Sequence, residues 1–238
     1  MSGSAEARRG QLVQLYREVS DCTRCSLHEG RIQAVFGAGN ADAKLMFVGE
    51  APGAEEDRQG LPFVGRAGQL LNKLLDEVGL SRDDVFIANI LKSRPPANRD
   101  PHPDEIDACW PYLDRQIQLI EPQVIATLGN FATKKITGSQ TGITRVRGTP
   151  QVHELAGRTV FVFPLLHPAA ALRTPSLVET LQQDFARLRE LLDEPLPNAP
   201  EDLAAASSVS ANAPRAPEAP EARATPTPDP DSQLDFFA

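Results

Sequence analysis

The chain reads as an α/β protein whose parallel sheet is covered by helices on both faces. Three observations lead there. Four short apolar runs, at 44–48, 85–91, 124–128 and 159–166, have the length and bulk of buried strands. The segments between them repeat apolar residues at helical spacing. The alternation of the two implies right-handed crossovers between parallel neighbours.

In chain order, residues 10–21 have a helical pattern, and KLMFV at 44–48 is a buried strand that ends in Gly-Glu. Over 66–79 the residues Leu70, Leu71, Leu74, Leu75 and Val78 recur on one helical face. VFIANIL at 85–91 is the second strand, 103–120 a helix, and VIATL at 124–128 the third strand, closed by Gly129. A helix starts at Asn130, TVFVFPLL at 159–166 is the fourth strand, and 175–193 is the last helix. In such a sheet a ligand binds outside the carboxyl ends of the strands. Glu50, Asn89 and His167 fall at or near three of those ends.

Composition changes after Glu194. Nine of the 21 prolines lie between Pro195 and Pro230, with almost no large apolar residue. Such a segment cannot bury enough surface to offset its ordering entropy. We therefore divide the chain into a domain over 1–194, a disordered linker over 195–232 and a terminal peptide over 233–238. The tail carries −5 of the chain's net −8, so residues 1–194 hold −3, and net charge does not exclude a nucleic-acid partner. Residues 1–20 are polar and charged, and no stretch approaches the roughly 20 apolar residues of a membrane helix. Three cysteines are a poor disulfide framework. Together these features predict a soluble cytoplasmic protein, and a monomer is expected.

Several residues carry chemistry. Gly49-Glu50-Ala51-Pro52-Gly53 puts an acid and two glycines directly after a strand, although alone such a turn is more often structural. Phe63 lies in a loop between Gly60 and Gly65, where its ring either stacks on a flat ligand or plugs the core. Asn89 interrupts an apolar run. A buried amide without a partner costs roughly 1–3 kcal/mol, so it is satisfied by backbone or aimed at a ligand. Its one acceptor and two donors suit an imide edge. His167-Pro168 ends the fourth strand ahead of an apolar stretch and Arg173, which reads as a structural hydrogen-bonder or as a loop that inserts into DNA. Cys22-x-x-Cys25 is a metal signal, and Cys109 lies far downstream. Zinc could recruit His28 or His102, whereas an iron–sulfur cluster ordinarily takes four thiolates.

In this order the pieces resemble the family 4, iron–sulfur type, uracil-DNA glycosylases, from about Cys22 to Leu192. The matching elements are CxxC, GE-x-PG, Gly-x-Pro-Phe-Val-Gly-x-Ala-Gly, Asn-Ile-x-Lys-x-Arg-Pro-Pro-x-Asn-Arg, Pro-Asp-Glu before a cysteine, and a His-Pro-Ala segment ending in arginine. The resemblance implies a three-layer α/β/α fold around a four-stranded parallel sheet. It also implies a monofunctional repair glycosylase, nucleoid-associated, that flips uracil from DNA and hydrolyses its N-glycosidic bond without a metal in the chemistry. Phe63 would stack on the base and Asn89 would read its edge. The backbone at Gly49 and Ala51 would hold base and water, Glu50 would position or deprotonate the water, and His167 would stabilise the departing uracil at O2. Lys92, Arg94, Arg99, Arg145, Arg147 and Arg173 are candidates for phosphate contacts.

One departure concerns the structural [4Fe-4S] cluster that the resemblance implies. Cys22, Cys25 and Cys109 match three of its ligands, but the fourth position is Ser93. Serine oxygen could ligate, a three-cysteine site could hold a labile or three-iron cluster, or the cluster could be gone; we expect a cluster with altered ligation. A related branch traps its product through a histidine in a Lys-Arg-Arg-Ile-His stretch. Residues 95–103 lack that stretch although they contain His102, so turnover is expected. The alternative is a uracil-DNA-binding relative without turnover, to which the full set Glu50, Phe63, Asn89 and His167 would be superfluous. At the terminus, Gln233-Leu234-Asp235-Phe236-Phe237 looks like the bacterial sliding-clamp pentapeptide, with phenylalanine for the usual leucine at its fourth place.

Overall fold

The computed structural model describes residues 5–196. The linker expected over 195–232 lies outside the described residues beyond Leu196, and so does the whole terminal peptide 233–238.

Six strands form one sheet: β1 (Ala38–Gly39), β2 (Leu45–Gly49), β3 (Val85–Asn89), β4 (Val124–Leu128), β5 (Gln151–Leu155) and β6 (Arg158–Leu165), in the order β1-β3-β2-β4-β6-β5. The four inner strands run parallel and are those the apolar runs predict. The sheet is nevertheless wider than expected, because an antiparallel strand borders each side. Neither edge strand has an apolar run to reveal it. β1 is two residues long, and β5 is only half-buried. β5 and β6 form a hairpin whose two linking residues, Ala156 and Gly157, have φ of 54° and 73°, the geometry that matches the twist of paired strands.

The helices are α1 (Ala5–Ser20), α2 (Leu27–Gly30), α3 (Ala54–Gln59), α4 (Arg66–Glu77), α5 (Pro103–Ile120), α6 (Asn130–Thr137), α7 (Ile143–Val146), α8 (Pro168–Arg173) and α9 (Leu177–Leu191). Strand side chains alternate between the two faces of the sheet. Met46, Val48, Phe86, Ala88 and Ile125 join Leu12 and Leu15 of α1 and Leu113 and Ile117 of α5 in one core. Leu45, Phe47, Val85, Ile87 and Ala126 join Leu71, Leu74 and Leu75 of α4 and Leu181, Phe185 and Leu188 of α9 in the other. The result is a helix–sheet–helix sandwich. The Gly49–Gly53 turn leads into a short helix, α3, and the segment after His167, read as a loop from the sequence, is the short helix α8 with Pro168 at its first position. No helix among the described residues is long and apolar enough to cross a membrane.

From β2 the chain crosses to β3 on one side, then returns to β4 on the other. The crevice above β2 and β4 is therefore the point where successive connections diverge, which is where open parallel sheets bind ligands.

Candidate active site

A cleft of about 1120 Å³ opens there, lined by Glu50, Ala51, Gly53, Phe63, Asn89, Gly129 and His167. Asn89, the last residue of β3, is 1% exposed, and its Oδ1 has no hydrogen-bond partner. Beside it, Gly49 ends β2 in register with Asn89. A methyl group on Gly49 would lie 2.4 Å from Asn89 Oδ1 and 2.8 Å from Phe63 Cζ. Glycine is thus required at 49 for the amide and the ring to sit where they do.

Phe63 has φ of 51°, a left-handed conformation that costs a non-glycine residue roughly 1–2 kcal/mol. Two charged side chains that the sequence reading missed hold it. Glu56 Oε1 accepts from Val64 N and Gly65 N at 3.0 Å each, while its Oε2 accepts from Gly53 N at 3.1 Å, tying the phenylalanine loop to the turn after β2. Arg82 donates to Pro62 O at 2.7 Å and to Phe63 O at 3.1 Å. Gly68 completes the clamp, since a Cβ there would meet Phe63 O at 1.8 Å. The only hint in the sequence was a glutamate three residues into a helix that starts after glycine, a capping pattern.

The Phe63 ring stacks on His167, with centroids 5.6 Å apart and planes 30° from parallel. His167 Nδ1 accepts from Ala169 N at 3.1 Å. That bond assigns the ring proton to Nε2, which becomes a donor. Burial, and then the charge of Arg173, push the imidazole down to about 4, so it is neutral near pH 7. Glu50 has its carboxyl raised above the ordinary value, first by burial and then by the nearby charge of Asp100. The cleft thus assembles a half-buried carboxylate, a neutral imidazole, an aromatic face and an amide oxygen without a partner.

The sequence matches the uracil DNA glycosylase superfamily over residues 36–193. It is 49% identical over 189 residues to the type-4 uracil-DNA glycosylase of Sulfurisphaera tokodaii, covering 77% of this chain and 86% of that one. It is 45% identical over 190 residues to the type-4 enzyme of Archaeoglobus fulgidus (78% and 96%) and 47% identical over 170 residues to that of Thermotoga maritima (71% and 87%). The chain belongs to the type-4 uracil-DNA glycosylases.

For a type-4 uracil-DNA glycosylase the expected DNA-contacting cations need correction. Lys92 is 2% exposed and donates inward, to Asn89 O at 2.8 Å and Gln116 Oε1 at 2.7 Å, so no phosphate reaches it. Its place directly after an apolar strand was the available signal. Arg147 is paired with Asp184, itself 5% exposed, and also donates to Thr180 O. It anchors α9. Arg99 makes a two-pronged bond to buried Glu105. Arg94 donates to Asn98 Oδ1 at 2.7 Å, and Arg145 is exposed on α7. Arg173 lines the cleft and has no ion pair among the described residues; the same is true of Lys134 on α6, which the sequence reading passed over.

Cys22 and Cys25 follow α1 and pack against the core that contains Cys109 of α5. Burial raises the Cys25 and Cys109 thiols, and the three sulfurs are close enough to influence one another electrostatically. Ser93 is buried, and its Oγ accepts from Arg31 at 3.0 Å. Thiolates are the usual ligands of a metal–sulfur group, while the fourth expected donor is already hydrogen-bonded. Among the described residues no three His, Cys, Asp or Glu side chains stand in metal-binding geometry. His28 bonds Cys25 O through its Nδ1.

Proposed function

We propose that the cleft receives a deoxyuridine flipped out of DNA and hydrolyses its N-glycosidic bond through Glu50, Asn89, Phe63 and His167. The observation that carries this reading is the buried, unpartnered Oδ1 of Asn89. An orphan acceptor costs roughly 1–3 kcal/mol, a cost that disappears when uracil N3–H donates to it and the amide N–H donates to uracil O4. Cytosine presents the reverse pattern, with an acceptor at N3 and a donor at C4, and leaves both groups unpaired. Phe63 offers its face to the base. Glu50 holds the attacking water and stabilises the cationic sugar as the C–N bond loosens. His167, neutral with its proton on Nε2, donates to O2 as negative charge builds on the departing uracil. No step requires a metal. The product is an abasic site, and turnover rather than capture follows from the lack of a trapping histidine stretch. Purified protein should release uracil from a single-uracil duplex, revealed by alkaline cleavage, and Asn89→Ala should lose at least about 10²-fold of that rate. Excision by the mutant at the parental rate would sink the reading.

We also propose that Cys22, Cys25 and Cys109 hold a structural iron–sulfur cluster, with Ser93 in the place of the fourth ligand. It would tie the segment after α1 to α5. We assign Gln233, Leu234, Asp235, Phe236 and Phe237 to a bacterial sliding clamp, on the strength of the sequence pattern alone; clamp affinity that survives deletion of 233–238 would refute this.

A further inference from the structure

Lys92, Gln116 and Asn89 form a continuous buried polar chain: Lys92 is 2% exposed, Gln116 0% and Asn89 1%. Lys92 Nζ donates to Asn89 O at 2.8 Å and to Gln116 Oε1 at 2.7 Å, and Gln116 Nε2 donates on to Phe36 O at 2.8 Å. Such a chain is a costly way to fill space, because a lysine ammonium loses its hydration on burial and a methionine would pack there without that loss. What it does is local. Asn89 lies where β3 ends, and its paired register with β2 stops there. The peptide unit after it is held from both sides: Ile90 N donates to Gly49 O at 2.9 Å, and Lys92 grips the Asn89 carbonyl. With that peptide plane fixed, the Cα–Cβ direction of Asn89 is fixed, and the amide is aimed into the cleft across Gly49. Gln116 supplies the anchor from α5, two turns beyond Cys109 on the same face.

We propose that Lys92 and Gln116 are positioning residues that set the angle at which Asn89 meets uracil. The inference rests on Asn89 as the base reader. Neither residue touches substrate, so their effect should pass wholly through Asn89.

The test is a double-mutant cycle on the full chain, reading single-turnover uracil excision and DNA affinity, with thermal midpoints to establish folding. Lys92→Met should cut the single-turnover rate about 10²-fold, the scale of an ångström-sized misplacement, with DNA affinity unchanged. In an Asn89→Ala background the same substitution should cost nothing further. If Lys92→Met does not fold, Gln116→Met carries the same cycle with a smaller loss, because Lys92 then keeps only its bond to Asn89. An equal fold-loss in both backgrounds, or a parental rate in the Asn89-containing variants, overturns the proposal while leaving the base reader intact. A parental rate for Asn89→Ala alone overturns the base reader and the strut together.

Discussion

At the cleft, Asn89 and His167 stand at or just past the ends of parallel strands and Phe63 in the loop between α3 and α4, and backbone or charged side chains hold each in place. Asn89 is backed by Lys92, Phe63 is gripped by Glu56 and Arg82, and His167 is oriented by Ala169 N. In the cysteine region the counterparts sit on a connection between helices and on one helix face. Three cysteines share one core there, but the fourth position is a serine bonded to Arg31. A site set at the ends of inner strands is preformed by the fold itself. A site shared between a connection and a helix face depends on whatever bridges them, and it can change a donor without disturbing the reaction centre.

Substitutions at the first region should therefore act on rate, and substitutions at the second on stability. Beyond Asn89 itself, a large effect is expected of Gly49→Ala. Its methyl cannot coexist with Asn89 Oδ1 at 2.4 Å, so the single-turnover rate should fall about 10²-fold while circular dichroism stays unchanged; a rate within a few-fold of the parent would break the claim that the cleft is preformed. A smaller effect comes from acid. In the proposed mechanism Glu50 must be ionised to hold water, and burial and Asp100 both raise its proton affinity. The rate should drop as pH falls through that raised value, in a range where His167, at about 4, is still neutral. Asp100→Asn removes one raising charge, so the acid limb of kcat/KM should move to lower pH with the plateau unchanged; a limb that stays put would exclude Asp100 as its cause. The smallest effect on excision is expected from Ser93→Cys. It should raise iron and sulfide content and the thermal midpoint while changing excision at 25 °C by less than about threefold. Excision that rises tenfold would show the two regions to be coupled more tightly than the geometry implies.

Much of this was legible in the sequence because it depends on local patterns. Four apolar runs gave four parallel strands, and the polar residues that interrupt or end them, Glu50, Asn89 and His167, came together in the cleft. What escaped was set by partners distant in the chain. Arg147 reads as a free surface cation until α9 brings Asp184 to it, 37 residues later. Lys92 reads as basic surface until α5 offers Gln116, 24 residues away. Glu56 and Arg82 look solvated because the groups they satisfy are backbone atoms of a loop whose shape the sequence does not reveal. The edge strands escaped for the opposite reason: with one side unpaired and little apolar content, they have no periodic signal.

The inward pairing of arginines has a consequence for how this protein meets a polyanion. With Lys92, Arg99 and Arg147 engaged internally, Arg173 and Lys134 are left lining the cleft without an ion pair among the described residues, in a chain of net charge −8. Each phosphate neutralised releases counterions and contributes roughly −0.9 to the slope of log affinity against log salt. Those two cleft contacts account for a slope of about −2, to which Arg94, bonded only to a neutral amide, and exposed Arg145 each add when a phosphate reaches them. The salt slope then counts how many of these four cations meet the DNA backbone.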